Sequence, residues 1–129
     1  MNVIKVAKKC FTFRVPETDT IATFSESEGY VWHVEEDLFV PGNILFSDNY
    51  ALKTTDGMKA SVIVGNSTAA GYQNGHGVYA RFNHIRSFIQ LSVIEAVLLD
   101  SFNRCLRKVD RRTNGTTMFA GECGKQGYR

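Results

Sequence analysis

The chain has 129 residues, of which 43% are hydrophobic and 22% charged, and its formal net charge is +2. This composition indicates one folded domain with a sizeable core, and it excludes the highly charged, weakly hydrophobic class of disordered chains. No run reaches the roughly 18 apolar residues of a membrane helix and no export signal is recognisable, so we expect a soluble, cytoplasmic protein.

Short strands separated by turns are predicted along the first half of the chain. Cys10–Val15 alternates apolar and polar side chains, which is the period of a half-buried strand. The runs at 20–24 and 30–34 are further strand candidates, and Pro41-Gly42 favours a type II turn.

The strongest hairpin signal is Asp56-Gly57, a pair that suits a two-residue turn between the threonine- and valine-rich runs on either side. Residues 65–77 are rich in Gly, Ser, Thr and Asn and are predicted to form a loop. Residues 78–82 alternate again and are predicted to form the last strand, while 83–91 are ambiguous but suit a short helix.

The second half of the chain changes to a helical period. Ser92 and Glu95 have the spacing of a capping box, and apolar residues beyond them recur at three- and four-residue steps. A helix is therefore predicted from Val93 to about Arg111.

The predicted fold class is α+β, with a hairpin-rich, mostly antiparallel sheet packed on one long C-terminal helix. Residues 1–115 would form the single domain, and residues 116–129 a glycine-containing tail that is either mobile or ordered by a partner. The face of the sheet that the helix leaves uncovered, or the sheet edges, would be available for a homo-oligomer contact.

Three glycines, two histidines and two arginines lie close together in the segment 71–86. Glycines let backbone amides approach an anion, and a first set of ligand-binding candidates follows: His76, Arg81, His84 and Arg86. The spacing matches neither a P-loop nor a dinucleotide-binding fingerprint, and a tight turn accounts for the glycines as well. The segment is either a ligand-binding site or a turn.

Charge is divided unevenly along the chain. Residues 1–79 hold six basic residues against nine acidic ones, a net charge of −3, whereas residues 80–129 hold nine against four, a net charge of +5. A second set of ligand-binding candidates, which we call the basic cluster, lies at the end of the predicted helix and comprises Arg104, Arg107, Lys108, Arg111 and Arg112. The alternative is a solvated helix terminus whose cations offset the helix dipole.

An acidic segment with two aromatic residues is a candidate partner-binding surface. Residues 26–37 contain five acids around Tyr30 and Trp32. This composition occurs at protein interfaces, and it also occurs at charged hairpin edges that face solvent.

The cysteine and histidine spacing predicts neither a disulfide framework nor a metal site. The three cysteines are widely spaced without a CxxC pair, so free thiols are expected, with Cys105 in the core and Cys123 exposed and reactive. The histidines show no pairing typical of zinc ligands, and no cofactor is predicted.

No combination of side chains points to catalysis more strongly than to a structural role. The leading hypothesis is a small non-enzymatic binding protein that recognises an anionic ligand or a macromolecular partner through the basic helix end and the segment 71–86. A compact accessory or inhibitor protein of a virus or mobile element would fit this profile. One alternative is a small enzyme on a phosphate-containing substrate that uses His76 or His84, and another is a nucleic-acid-binding protein that uses the basic cluster.

Overall fold

The protein is built almost entirely from antiparallel strands. The computed structural model describes residues 2–26 and 29–123, and in this part of the chain three separate sheets form and no helix reaches seven residues. The α+β prediction is therefore wrong, and the long C-terminal helix is absent from the described residues. None of the described helices is long and apolar enough to cross a membrane.

The three sheets follow one another along the chain. The first sheet, in the order β1-β2-β3, consists of β1 (Asn2–Ala7), β2 (Cys10–Val15) and β3 (Thr20–Ser25). The second, in the order β4-β5-β6-β7, consists of β4 (His33–Glu36), β5 (Ile44–Ser47), β6 (Ala51–Thr55) and β7 (Ala60–Gly65). The third, in the order β8-β12-β11-β10-β9, consists of β8 (Gly75–His76), β9 (Ile85–Gln90), β10 (Glu95–Asp100), β11 (Cys105–Asp110) and β12 (Gly115–Gly121). Two 3-10 helices, Gly77–Tyr79 and Ser101–Asn103, lie in the connections.

The second sheet is the middle layer of the protein. Ile44 and Phe46 of β5 pack with phenylalanines of the first sheet, such as Phe11. Leu45 points the other way and packs with Leu98 of the third sheet. All three β5 side chains are fully buried, because a strand covered on both faces has no solvent side.

Two local predictions from the first half are confirmed. The strand predicted at Cys10–Val15 is β2. The turn at Pro41-Gly42 is present, since Gly42 has a φ of 90° and the Asn43 N–H donates to the Val40 carbonyl oxygen over 3.0 Å. Alternation and turn residues were therefore sufficient signals here.

The predicted hairpin around Asp56-Gly57 is also confirmed, as the antiparallel pair β6–β7. Its turn is longer than predicted, because Thr55 and Ala60 are the last paired residues. Gly57 has a φ of 101°, and the Asp56 carboxylate accepts hydrogen bonds from the backbone N–H groups that follow it. An Asx-type turn thus replaces the two-residue turn.

The predictions for 78–82 and 83–91 are wrong. The first range begins in the 3-10 helix Gly77–Tyr79 and contacts the preceding loop through an isolated bridge between Gln73 and Arg81. The second contains strand β9 instead of a short helix. The Ser92 hydroxyl accepts from the Ile94 N–H over 3.2 Å in the turn that leads to β10, so it caps no helix.

The segment predicted as a long helix is the hairpin β10–β11. The two strands pair along their whole length, and the chain reverses through the 3-10 helix Ser101–Asn103 and Arg104, which has a φ of 61°. Cys105, Arg107 and Val109 alternate on the buried face, the two-residue period of a strand. The helical period predicted from the sequence assigns Asp100 and Arg107 to solvent, whereas both side chains are fully buried.

The beginning of the predicted tail is ordered in the third sheet, because Gly115–Gly121 forms β12. Beyond it Cys123 forms a disulfide with Cys105, with the two Cα atoms 5.0 Å apart, so the prediction of free thiols is wrong for this pair. Cys10 is free and half-buried. Residues 124–129 of the predicted tail lie outside the described residues.

Candidate binding surface

The basic cluster predicted from the sequence is dispersed by the β10–β11 hairpin. Arg107 and Arg111 are buried in the interior, and Lys108 lies on the opposite face of β11. Arg104 and Arg112 flank the two ends of that strand. The five side chains therefore do not share one surface, and ligand binding by them stays a prediction.

Arg107 shapes the segment 71–86 from inside the protein. Its guanidinium donates to the Asp100 carboxylate over 2.7 Å and to the Arg81 carbonyl oxygen over 2.9 Å. It also donates to the Gln73 carbonyl oxygen over 2.8 Å and to the Asn74 side-chain oxygen over 3.0 Å. A buried charge is tolerated here because a carboxylate and three further oxygens replace its water.

Arg111 connects the second and third sheets through a bidentate ion pair. Its guanidinium donates to both oxygens of the Asp37 carboxylate, over 2.9 and 3.0 Å. Burial would raise the pKa of Asp37, but hydrogen bonds from Arg111 and Thr54 outweigh that effect and hold the pKa below its usual value. The role that the structure shows for Arg111 is therefore internal.

A polar groove of about 610 Å³ at one end of the third sheet brings together His76, Lys108 and Arg112. Lys108 lies 3.5 Å from a Glu95 carboxylate oxygen. The hydrogen bonds from Arg112 lower the pKa of Asp110 to about 2, so this carboxylate is ionised in the physiological range. Because both cations lie beside carboxylates, the groove is not a strongly positive site.

Three of the predicted residues, Tyr30, Trp32 and His84, meet in a row of rings. We call this surface the aromatic row and define it as Tyr30, Trp32, His84 and Phe102, in that order. Successive ring centroids are 6.1, 4.5 and 4.9 Å apart. The exposed Arg86 lies with its guanidinium carbon 5.5 Å from the centre of the Trp32 ring, in a cation–π contact. The structure thus brings together residues that the sequence analysis had assigned to two different sites.

Hydrogen bonds hold the row in place from separate segments of the chain. The Trp32 backbone N–H donates to the Ser47 carbonyl oxygen over 3.0 Å, and its indole Nε1 donates to Asn49 Oδ1 over 2.6 Å. The Phe102 N–H donates to the Asn83 carbonyl oxygen over 3.0 Å. The Trp32 ring is therefore held by the Asn49 side chain, and the backbones of Trp32 and Phe102 are held by neighbouring segments.

His84 is the central and least exposed member of the row. Its backbone has a φ of 77°, a conformation that non-glycine residues rarely adopt. Burial, and then the nearby Arg86 charge, lower the pKa of His84 below its usual value, so the ring is neutral at pH 7. Its Nε2 atom is buried and has no hydrogen-bond partner among the described residues.

Phe102 is the member of the row that the sequence analysis did not single out. It lies in the 3-10 helix Ser101–Asn103 and is 57% exposed, although the predicted helix would place it on the buried face. A shallow pocket of about 410 Å³ beside it is lined by Asn83, Ser101, Phe102 and Arg104. No local signal marks Phe102, because its exposure follows from the pairing of β10 with β11.

The four candidates from the segment 71–86 are divided between places. His76 lines the polar groove, whereas His84 and Arg86 belong to the surface of the aromatic row. The Arg81 guanidinium donates to the backbone carbonyl oxygens of Val78 and Ala80. The two histidines are therefore not brought into one site.

No protein-family model matches the chain, and no significant match is found among the curated proteins. Within residues 2–26 and 29–123, no group of three or more His, Cys, Asp or Glu side chains is placed to hold a metal ion. Function is therefore inferred from the surface itself.

Proposed function

We propose that this protein is a small binding protein whose anionic ligand or macromolecular partner docks on the aromatic row, with Arg86 beside it. The observation that carries the proposal is the contiguity of exposed rings. Tyr30, Trp32 and Phe102 are 43%, 36% and 57% exposed, and His84 joins Trp32 to Phe102. Single exposed aromatic residues are normal on protein surfaces, whereas a connected set with an arginine is typical of a binding surface.

The fixed geometry of the row supports the same proposal. Aromatic side chains bury a large area at a small cost in conformational entropy, and hydrogen bonds already hold the Trp32 ring and the Phe102 backbone. A surface that is ordered before binding loses less entropy when its ligand docks. The row therefore needs little rearrangement to bind.

Native mass spectrometry of protein purified from its producing cell tests the proposal. We expect the wild-type protein to carry a bound mass that the double variant Trp32→Ala/Phe102→Ala loses. Tyr79→Ala is the matched control, because Tyr79 is an exposed aromatic residue outside the row, and it should keep the bound mass. A wild-type protein with no bound mass, or a double variant that retains it, would overturn the proposal. Circular dichroism of each variant checks that the fold is retained.

The cytoplasmic location expected from the sequence stays a prediction. The disulfide between Cys105 and Cys123 is of a kind that oxidising compartments maintain, whereas cytosolic thiols are usually kept reduced. The state of these two cysteines in the producing cell bears directly on the location.

A further inference from the structure

The aromatic row holds the exposed rings of Tyr30, Trp32 and Phe102 on one surface, with His84 between Trp32 and Phe102. His84 and Phe102 are stacked, with an angle of 24° between their planes, while Trp32 and Tyr30 are tilted relative to their neighbours. Nucleobases bind side chains by laying their own faces on such rings, and this contact tolerates any base because every base has a π-face. The row can therefore accept unpaired bases.

Two arginines accompany the rings. Arg86 lies over Trp32 near the middle of the row, and Arg104 lines the pocket beside Phe102 at its end. Single-stranded nucleic acids are bound by the same combination, in which aromatic rings stack on bases and cations follow the phosphates. The two arginines therefore place positive charge near the middle of the row and at one end of it.

The pocket beside Phe102 favours nucleic acid over a protein partner. Its other lining residues are Asn83, Ser101 and Arg104, so it is polar and has no aliphatic side chain. The centre of a protein interface is typically apolar and depleted of charge. Amide, hydroxyl and guanidinium groups instead suit the edges of bases and the phosphate backbone.

We propose that the ligand of the aromatic row is single-stranded nucleic acid. This inference rests on the proposed function, because it names the ligand class of the same surface. Duplexes are disfavoured, since the faces of paired bases are covered by their neighbours in the stack and cannot reach the rings. The surface shares Arg104 with the basic cluster through which nucleic-acid binding was predicted from the sequence, and it contains none of the other four members of that cluster.

The single tryptophan of the chain is Trp32, so tryptophan fluorescence, excited at a wavelength that tyrosine does not absorb, reports on the row. The full-length protein is titrated with a deoxythymidine oligonucleotide of about 20 nucleotides, which is longer than the usual site of a single binding domain. We expect saturable quenching that weakens as salt is raised, because phosphate binding releases counterions. A duplex of the same length and inorganic phosphate alone should leave the fluorescence nearly unchanged.

Two matched pairs of variants keep Trp32 as the probe. Phe102 and Tyr79 are exposed aromatic residues in 3-10 helices, and Phe102→Ala should weaken oligonucleotide binding about tenfold while Tyr79→Ala changes it little. Arg86 and Arg112 are both exposed, and Arg86→Ala should reduce the slope of log affinity against log salt by about 0.7 while Arg112→Ala leaves it unchanged. If the Phe102→Ala variant fails to fold, the comparison of Arg86→Ala with Arg112→Ala tests the inference by itself.

The inference and the proposed function can fail separately. In one outcome, the oligonucleotide leaves the fluorescence unchanged while native mass spectrometry finds another bound molecule that is lost in the Trp32→Ala/Phe102→Ala variant. This result would overturn the nucleic-acid inference and leave the proposed function standing. If Phe102→Ala and Tyr79→Ala weaken binding equally, and Arg86→Ala and Arg112→Ala change the salt dependence equally, the oligonucleotide binds outside the row. That result also overturns the inference. If inorganic phosphate alone quenches the fluorescence, the site binds small anions, and the nucleic-acid inference is overturned.

Discussion

Lys53, Arg107 and Arg111 are buried, and each lies against a carboxylate in the protein interior. Burial would lower the pKa of Lys53, but the hydrogen bond to Glu26 and the charge of Asp48 outweigh it and raise the pKa. These cations connect segments far apart in the chain, such as β6 with the end of β3. A buried ion pair is costly to break, because removing one partner leaves the other charge without compensation.

Arg107→Ala should therefore destabilise the protein strongly. We expect a loss of about 3–5 kcal/mol in the free energy of unfolding, since Asp100 would remain as an unpaired buried charge. The control is Arg112→Ala, which removes an exposed ion pair with Asp110 and should change the free energy of unfolding far less, because solvent screens exposed charges. Urea denaturation measures both values, and similar losses in the two variants would contradict an internal role for Arg107.

The ion pair between Asp37 and Arg111 should make stability depend on pH. Because the folded-state pKa of Asp37 lies below its usual value of 3.8, the pair contributes stability above that value and loses it as the pH falls through the folded-state pKa. Urea denaturation at several acidic pH values measures this loss. The double variant Asp37→Asn/Arg111→Met should show a flatter acid dependence than the wild type, whereas the exposed substitution Glu17→Gln should not. An equally steep loss in the double variant would contradict this assignment.

Strands in this protein are recognisable from the sequence where one face is buried by apolar residues alone. The strand β2 shows this alternation, with Phe11 and Phe13 buried. In β11 one of the buried positions is the charged residue Arg107. The buried positions are therefore not all apolar, and the two-residue alternation of a strand cannot be seen in the sequence. The sequence therefore predicts β2 correctly and mistakes β11 for part of a helix.

At the end of β12, the pairing with β11 requires a glycine at position 121. Gly121 has a φ of 98°, and a Cβ atom there would lie 2.8 Å from the Arg104 carbonyl oxygen and 2.9 Å from the Cys105 Cα. A side chain at this position would separate β12 from β11 and move Cys123 away from its disulfide partner. This explains why a glycine precedes the cysteine by two residues.

Gly121→Ala should therefore destabilise the protein and reduce disulfide formation. We expect a loss of about 1–3 kcal/mol from the backbone conformation, and a further loss from the close contacts. Gly42→Ala is a matched control, because Gly42 also has a positive φ, of 90°, but apart from its two chain neighbours no atom of the described residues lies within 4 Å of the position of its Cβ. Thermal unfolding and thiol titration compare the two, and equal effects would show that the contacts near Cys105 do not matter.

The aromatic row exists only in the whole molecule. Trp32 precedes the first strand of the middle sheet, His84 precedes β9, and Phe102 lies between β10 and β11. The row therefore forms where the second and third sheets meet, and it needs residues from several separate segments of the chain. Trp32 and His84 are predicted from the sequence for separate reasons, and no local pattern joins them, because their contact depends on how the sheets pack.

The disulfide state of the whole molecule in its producing cell is testable. Thiols are alkylated in intact cells before lysis, and the peptides are analysed by mass spectrometry. We expect a linked peptide that joins Cys105 to Cys123, together with alkylated Cys10. That result would argue against the cytoplasmic location predicted from the sequence. Alkylation of both Cys105 and Cys123 would support that location and would show that the disulfide does not form there.

The sequence by itself determined the strand β2, the turn at Gly42 and the hairpin after β6, because these depend on side-chain alternation and turn residues within a few positions. Tertiary structure decided that β10 and β11 are strands and that Arg107 lies inside, since the carboxylate that makes its burial tolerable comes from a paired strand. Tertiary structure also decided which rings meet in the aromatic row, because those contacts depend on the packing of sheets and not on any local pattern.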